Sequence, residues 1–225
     1  DLSLYEKQIF DSYNDFFTRK IRAEERPVNP DANALVSPSD GKVSVYKIHE
    51  NGHFLIKHTE YTLEQSLQDK KLAKRYLDGH IYVIRLTVDD YHRYCYAADG
   101  RKSEQRKIAG ILHTVNPVAN DVCPIYKMNS REYCLIKTEQ FGTLLQMEVG
   151  ALMVGKISNN QQGLGFVHKG VEKGRFEFGG STIILLTQKN VVIPDRDLLE
   201  HTGSGMETLV KMGEQIGRSA NRLDA

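Results

Sequence analysis

The chain has 225 residues, 40% of them hydrophobic and 26% charged, which suffices for one substantial core or two small lobes sharing a sheet. Lys and Arg number 30 against 29 Asp and Glu, and the resulting net charge of +1 excludes the one-signed field of a dedicated nucleic-acid binder. Cys95, Cys123 and Cys134 are an odd set without CxxC spacing, so neither a disulfide framework nor a thiolate zinc site is expected, and a reducing, cytoplasmic setting fits.

Residues 4–17 place Tyr5, Ile9, Tyr13 and Phe16 at helical spacing, with Glu6, Lys7, Asp11 and Asp15 on the wet face, so the pattern predicts an N-terminal amphipathic helix. The prolines of residues 26–31 make a connector, because each disfavours helix in the residue before it. The expected organisation is therefore a helix and connector over 1–30 and one larger domain over 31–225. A turn at 37–41 leads into strict alternation over 42–48, a half-buried strand; Asn51-Gly52 turns the chain into a short strand over 54–56. Residues 62–77 predict a helix with Thr62 as N-cap. Its Lys70, Lys71, Lys74 and Arg75 read as a solvated face, with contact to anionic headgroups as the alternative. Strands are expected over 81–87, 107–115, 131–138, 142–155, 176–178 and 182–187, and a possible short helix over 197–199. Many short strands, glycine punctuation and no βαβ rhythm indicate an α+β protein with a mainly antiparallel, barrel-like core and N-terminal helices. No run approaches the roughly eighteen apolar residues of a membrane-spanning helix.

No Walker loop, dinucleotide fingerprint, GxSxG elbow or HExxH helix is present. His49, His53 and His58 lack a carboxylate at ligand spacing, and no metal is expected. The unusual segment is Gly179-Gly180-Ser181-Thr182, which sets two glycines before a serine at a strand junction and runs on into Ile183-Ile184-Leu185-Leu186. Glycines there open backbone conformations closed to other residues and allow a neighbouring group to approach the carbonyl.

This segment resembles the Leu-Gly-Ser-Thr self-cleavage signature of phosphatidylserine decarboxylases, with Gly179 where leucine is usual. Other segments match in the family's order: Asn14 to Arg19 its N-terminal signature, Ser37 to Gly41 its aspartate turn, Asp90-Tyr91-His92-Arg93 its histidine motif, and Val149 to Gly155 the strand ahead of the cleavage site. Each motif alone is weak, and their order and spacing together are specific. The resemblance implies that the Ser181 hydroxyl attacks the Gly180 carbonyl, turning the amide into an ester. Loss of the Ser181 α-proton then expels the ester, and hydrolysis releases ammonia and leaves a pyruvoyl group on the chain from 181 onward. That group is an electron sink for decarboxylation, and no external cofactor is needed. A serine needs a base and a held oxyanion, so Asp40 with a histidine completes the expected set, and His92 is the candidate acid for the α-carbon. Arg93 and Cys95 are the substrate-binding candidates, with Arg131 and Lys156 as further cations for a diester. The implied partners are phosphatidylserine and an anionic membrane surface at the cytoplasmic face of the cell membrane, where the protein is peripheral, and a second copy in a homodimer.

The chain departs from the pattern at one place. Many members read Tyr-His-Arg-x-His, whereas residues 91–95 end in Cys95. His92 serving both steps is the first candidate repair and His113 the second, although a hydrogen-bonded core histidine explains His113 equally well. Cys95 as a weak base is the third, and an ordinary thiol with pKa near ~8.5 would need an electropositive setting for it. Two rivals stand beside this reading: a soluble amino-acid decarboxylase on the same scaffold, and a non-enzymatic β-rich carrier or binding module in which Ser181 is a turn residue.

Overall fold

A computed structural model describes residues 1–6, 9–56, 59–110, 129–150, 156–177 and 181–220. His113 and Gly180 lie outside the described residues, as do most of the strand expected over 107–115 and the end of that over 142–155. After a short helix α1 (Tyr13–Phe17) the chain forms β1 (Ala34–Val36), β2 (Gly41–Lys47), β3 (His53–Ile56) and β4 (Thr59–Thr62). Helices α2 (Leu63–Leu67) and α3 (Lys70–Ala73) precede β5 (His80–Leu86), β6 (Arg93–Cys95), β7 (Gly100–Lys102) and β8 (Arg106–Ile108). There follow β9 (Arg131–Lys137), β10 (Thr143–Gly150), β11 (Ile157–Asn159), β12 (Gly165–Val167), β13 (Glu172–Phe176) and β14 (Ser181–Thr187). The described chain closes with β15 (Val192–Pro194), α4 (Arg196–Gly203), β16 (Thr208–Val210) and β17 (Gln215–Ser219).

The main sheet runs β12-β7-β9-β10-β14-β5-β2-β16, with β8 also on β9, and its pairings are antiparallel. Its centre is β14, whose seven residues are all buried. Alternation sends Ile183 and Leu185 to one face and Ile184 and Leu186 to the other, and each face has its own core. On the first face, Ile183 and Leu185 meet Val43, Ile84, Cys134 and Leu144 of the sheet, and Tyr94 and Phe176 of a second sheet, β11-β13-β6. On the second, Ile184 and Leu186 meet Leu67, Leu72 and Tyr76 of the α2–α3 region and Phe54 and Tyr61 of the β3–β4 hairpin. Burial of each such aliphatic side chain stabilises the fold by about 1.5–3 kcal/mol, so this strand is fixed from both sides.

The α+β, antiparallel reading stands, with one correction: among the described residues the sheet is open between β12 and β16, and no barrel closes. The N-terminal helix is also far shorter than 4–17. Ser12 caps it by accepting from Asp15 N, while Tyr5 pairs in extended conformation with Ile21. The helix expected over 62–77 begins at the Thr62 cap but breaks at Gln68, which turns left-handed at φ 49°, and Asp69 caps α3 by accepting from Leu72 N. Helix α4, by contrast, is longer than the three residues expected.

Candidate active site

Ser181 opens β14 and is fully buried. Its cross-strand neighbours are Gly150, the last residue of β10, and Leu86, the last of β5. Gly41 opens β2 on the far side of β5, where Lys42 pairs with Arg85. One end of the sheet therefore presents Gly150, Ser181, Leu86 and Gly41 in a row, with Asp40 just beyond. Gly41 cannot be replaced without strain, because its φ is +149° and a Cβ there would lie 2.7 Å from the Arg85 carbonyl oxygen. The Ser181 hydroxyl oxygen is buried and has no hydrogen-bond partner among the described residues.

His92 reaches the same end of the sheet through the loop that follows β5. Asp90 shapes that loop by accepting from the backbone N and the hydroxyl of Thr87 at 2.7 and 2.9 Å. His92 Nδ1 lies 2.8 Å from the Asp90 carbonyl oxygen, and a carbonyl only accepts, so Nδ1 carries the proton and the neutral ring keeps its lone pair on Nε2. The imidazole packs on Phe17 of α1 with ring centroids 4.2 Å apart. Phe176 N donates to the His92 carbonyl at 2.9 Å, which ties the end of β13, just ahead of the Gly180–Ser181 bond, to the histidine loop.

Asp40, expected to act with a histidine, is held by the connector. Its carboxylate is 2% exposed and grips Arg26 of the connector, at 2.7 Å to Nε and 2.5 Å to Nη2. It also accepts from Met212 N at 2.9 Å, and Lys211 Nζ stands 3.6 Å away. The hydrogen bond that Arg26 donates to Asp40 holds the guanidinium above its ordinary pKa. Arg93 is likewise engaged, donating to the Thr18 carbonyl and to Glu172, and Arg131 is buried against backbone carbonyls of Ser66 and Asn129. Lys156 is exposed beside Glu177. Cys95 is fully buried in β6, and burial pushes its thiol up to about 12, the direction opposite to that of a base.

A second set of polar groups was missed in the sequence. Glu148 and Lys173 are both fully buried and lie 2.6 Å apart, with Asn159 and Gln105 around them. Glu148 alternates with Met147 and Val149 along β10, which reads as a solvent-facing position; here that face is roofed by β11-β13-β6. Gln146, two residues earlier on the same face, donates to the Cys95 carbonyl at 2.9 Å and so fastens the roof to the sheet.

Ser181 follows Gly179 and Gly180 in sequence, and its buried hydroxyl shares one end of the sheet with the anchored imidazole of His92. The family model described as phosphatidylserine decarboxylase matches residues 13–218, and the chain belongs to that family. Similar proteins include the phosphatidylserine decarboxylase proenzyme 2 of Clostridium acetobutylicum, 46% identical over 97% of this chain and 75% of the relative. The phosphatidylserine decarboxylase proenzyme of Fusobacterium nucleatum is 42% identical over 98% of this chain and 75% of its own length, and that of Clostridium perfringens 41% over 96% and 75%.

Proposed function

We propose that this enzyme cleaves itself between Gly180 and Ser181 and then decarboxylates phosphatidylserine to phosphatidylethanolamine through the pyruvoyl group left at position 181. The observation that carries this reading is Ser181 itself, a fully buried hydroxyl without a partner among the described residues, at the first position of the most enclosed strand. Such a hydroxyl normally finds a hydrogen bond, and a catalytic role is one physical reason for leaving it without one. Gly150 opposite adds no side chain, so the site has room for the group that replaces the serine.

In this reading Ser181 is the attacking hydroxyl and Gly180 the attacked carbonyl. His92 Nε2 accepts the hydroxyl proton and later returns a proton at the substrate α-carbon, with Asp90 rather than Asp40 fixing its ring. The pyruvoyl group supplies the electron sink for the departing carboxylate. Asp40 shapes the sheet end and docks the connector through Arg26. His113 is the alternative base and Arg93 the headgroup ligand that opening of its Glu172 pair would free. The enzyme works peripherally at the cytoplasmic face of the membrane as a homodimer. The exposed Lys70, Lys71, Lys74 and Arg75 support contact with an anionic surface, and among the described residues no helix is long and apolar enough to cross a membrane.

The test is the intact mass of the purified protein beside Ser181→Ala, with and without hydroxylamine. Two fragments meeting at the 180–181 bond, the C-terminal one with the mass of a pyruvoyl cap and reactive with hydroxylamine, are expected. A wild-type chain that stays whole under all conditions sinks the reading.

A further inference from the structure

The buried pair of Glu148 and Lys173 is satisfied in a lopsided way. Taking two opposite charges out of water costs several kcal/mol per ion, and the pair recovers this only when its remaining lone pairs are hydrogen bonded. Glu148 Oε2 meets that condition three times over, accepting from Lys173 Nζ at 2.6 Å, Gln105 Nε2 at 3.1 Å and Asn159 Nδ2 at 3.4 Å. Oε1 is equally buried and accepts from nothing among the described residues. A pair kept only for stability would spread its donors over both oxygens, because an unsatisfied buried acceptor costs about 1–3 kcal/mol.

The register places that bare oxygen's carboxylate beside Ser181. Glu148 lies opposite Ile183, and Gly150 opposite Ser181, so Glu148 and Ser181 are diagonal neighbours on one face of adjacent strands. Their Cα atoms are about 7–8 Å apart in such a geometry, within reach of a long side chain. On that face the diagonal is flanked by Ile183 on β14 and by Gly150 on β10, and Gly150 carries no side chain. Two buried oxygens without partners among the described residues, Glu148 Oε1 and Ser181 Oγ, thus share the first face of the sheet at the end where the chemistry is expected.

We propose that Glu148 is a catalytic base for the substrate amine: its Oε1 takes a proton from the ammonium of the incoming serine headgroup and returns it to the product amine. The inference rests on the proposed decarboxylase reading. An aliphatic ammonium titrates above neutrality, and only the neutral amine has a lone pair for a carbonyl carbon. In the transfer an R–NH3+ and a carboxylate become R–NH2 and a carboxylic acid, and the reverse step on the product amine restores the carboxylate, so this relay is proton-neutral; the one proton consumed per turnover is that delivered to the α-carbon in place of the departing CO2. Burial pushes the Glu148 carboxyl upward, the direction of greater proton affinity, while Lys173 opposes it. The other groups that face it are Glu132 of β9, Cys134 beside it, Tyr94 of β6, Tyr96 and Lys102. Lys173 is a positioning residue, holding Oε2 so that Oε1 stays turned out.

The experiment follows attachment of a short-chain phosphatidylserine to the C-terminal fragment in cyanoborohydride, read by intact mass across pH, for wild type, Glu148→Gln and the doubly neutral Glu148→Gln/Lys173→Met. The double variant avoids leaving a lone buried ammonium, so at least one form folds. Both variants are expected to self-cleave. At pH 7 they should attach substrate about 100-fold or more slowly than wild type, and recover as pH rises through the titration of the amine itself, when solvent removes the proton. Attachment as fast as wild type at every pH, or a loss that no rise in pH restores, overturns the assignment. Wild type that never forms the two fragments removes the decarboxylase reading and this inference with it, whereas normal fragments with unaltered attachment remove the inference alone.

Discussion

Arg26 and Asp40 form a two-pronged ion pair at 2.7 and 2.5 Å, with side-chain exposures of 10% and 2%, that ties the N-terminal connector to the end of the main sheet. Phe17 on His92, Ile21 N on the Tyr91 hydroxyl and Thr18 on Arg93 extend the same seam. Residues 1–30 therefore bear on the site through packing as well as through charge.

Removing one member of such a pair strands a buried charge, which costs about 3–5 kcal/mol. Arg26→Ala and Asp40→Asn should each lower stability by that order, and Arg26→Met/Asp40→Asn by clearly less, because nothing charged is then left behind. Urea unfolding at neutral pH measures the three values. Equal losses in all three variants would mean that the pair is not coupled as the geometry requires.

A second stability prediction concerns pH. His80 at the start of β5 is partly buried, and desolvation together with Lys47 lowers its pKa to about 4, against 6.5 for the free side chain. The unfolded chain therefore takes up a proton first as pH falls. Stability from this group is complete above about pH 6.5, is lost between there and pH 4, and changes no further below. At about 1.4 kcal/mol per pH unit the loss is at most about 3.5 kcal/mol. Urea midpoints between pH 7 and pH 4 should fall more steeply for wild type than for His80→Gln, and parallel slopes would contradict the assignment.

Where the chain's own pattern was strong, the fold was legible. The strands His80–Leu86, Arg131–Lys137 and Ser181–Thr187 follow from alternation or from an apolar run bounded by turns, and the Thr62 cap from its side chain. The failures have physical causes. Tyr5 and Ile9 look helical with Tyr13, yet Asp11-Ser12 is a cap sequence, and Tyr5 pairs in extended form with Ile21, a partner sixteen residues on that no local window contains. Gln68-Asp69 breaks the next helix for a similar reason, since an aspartate inside a helical run is itself a cap. At the site, Ser181, His92 and Asp40 could be named from motif order, but the attachment of Asp40 to Arg26 could not. Glu148 stayed hidden because alternation separates two faces of a strand without saying that both are covered.

Cys95 stands where many relatives of this family have a second histidine, and its surroundings decide what it can do. It sits beneath the Ser37-Pro38 turn, with its amide donating to the Pro38 carbonyl at 2.8 Å, and burial pushes its thiol up to about 12 and that of Cys134 up to about 11. Both should resist iodoacetamide in the native protein at pH 8 and react after unfolding in urea, as read by peptide mass mapping. Cys95→Ala should leave self-cleavage within about threefold of wild type, the modest effect of a small change in a packed site rather than loss of a proton carrier. Rapid native alkylation of Cys95, or loss of cleavage in the alanine variant, would return the thiol to the list of bases.

With the thiol set aside, the proposed reading gives the serine and α-carbon proton transfers to His92, and its anchoring makes a directional prediction. The Asp90 carbonyl accepts from Nδ1 and cannot donate, so it favours the tautomer with a basic Nε2 and also steadies the cationic ring once Nε2 is protonated. His92→Ala should slow appearance of the two fragments by about 10²–10⁴-fold, the usual worth of a positioned acid or base. Free imidazole is not expected to restore much, because Phe17 and the Thr87–Asp90 loop enclose the ring. Fragment formation followed by mass over days separates this from a folding defect, which the urea midpoint reports independently. Because one ring is assigned both maturation and reprotonation, a variant that matures normally yet releases carbon dioxide slowly would divide the roles and give self-cleavage to another base, whereas normal rates in both steps would remove His92 from the chemistry.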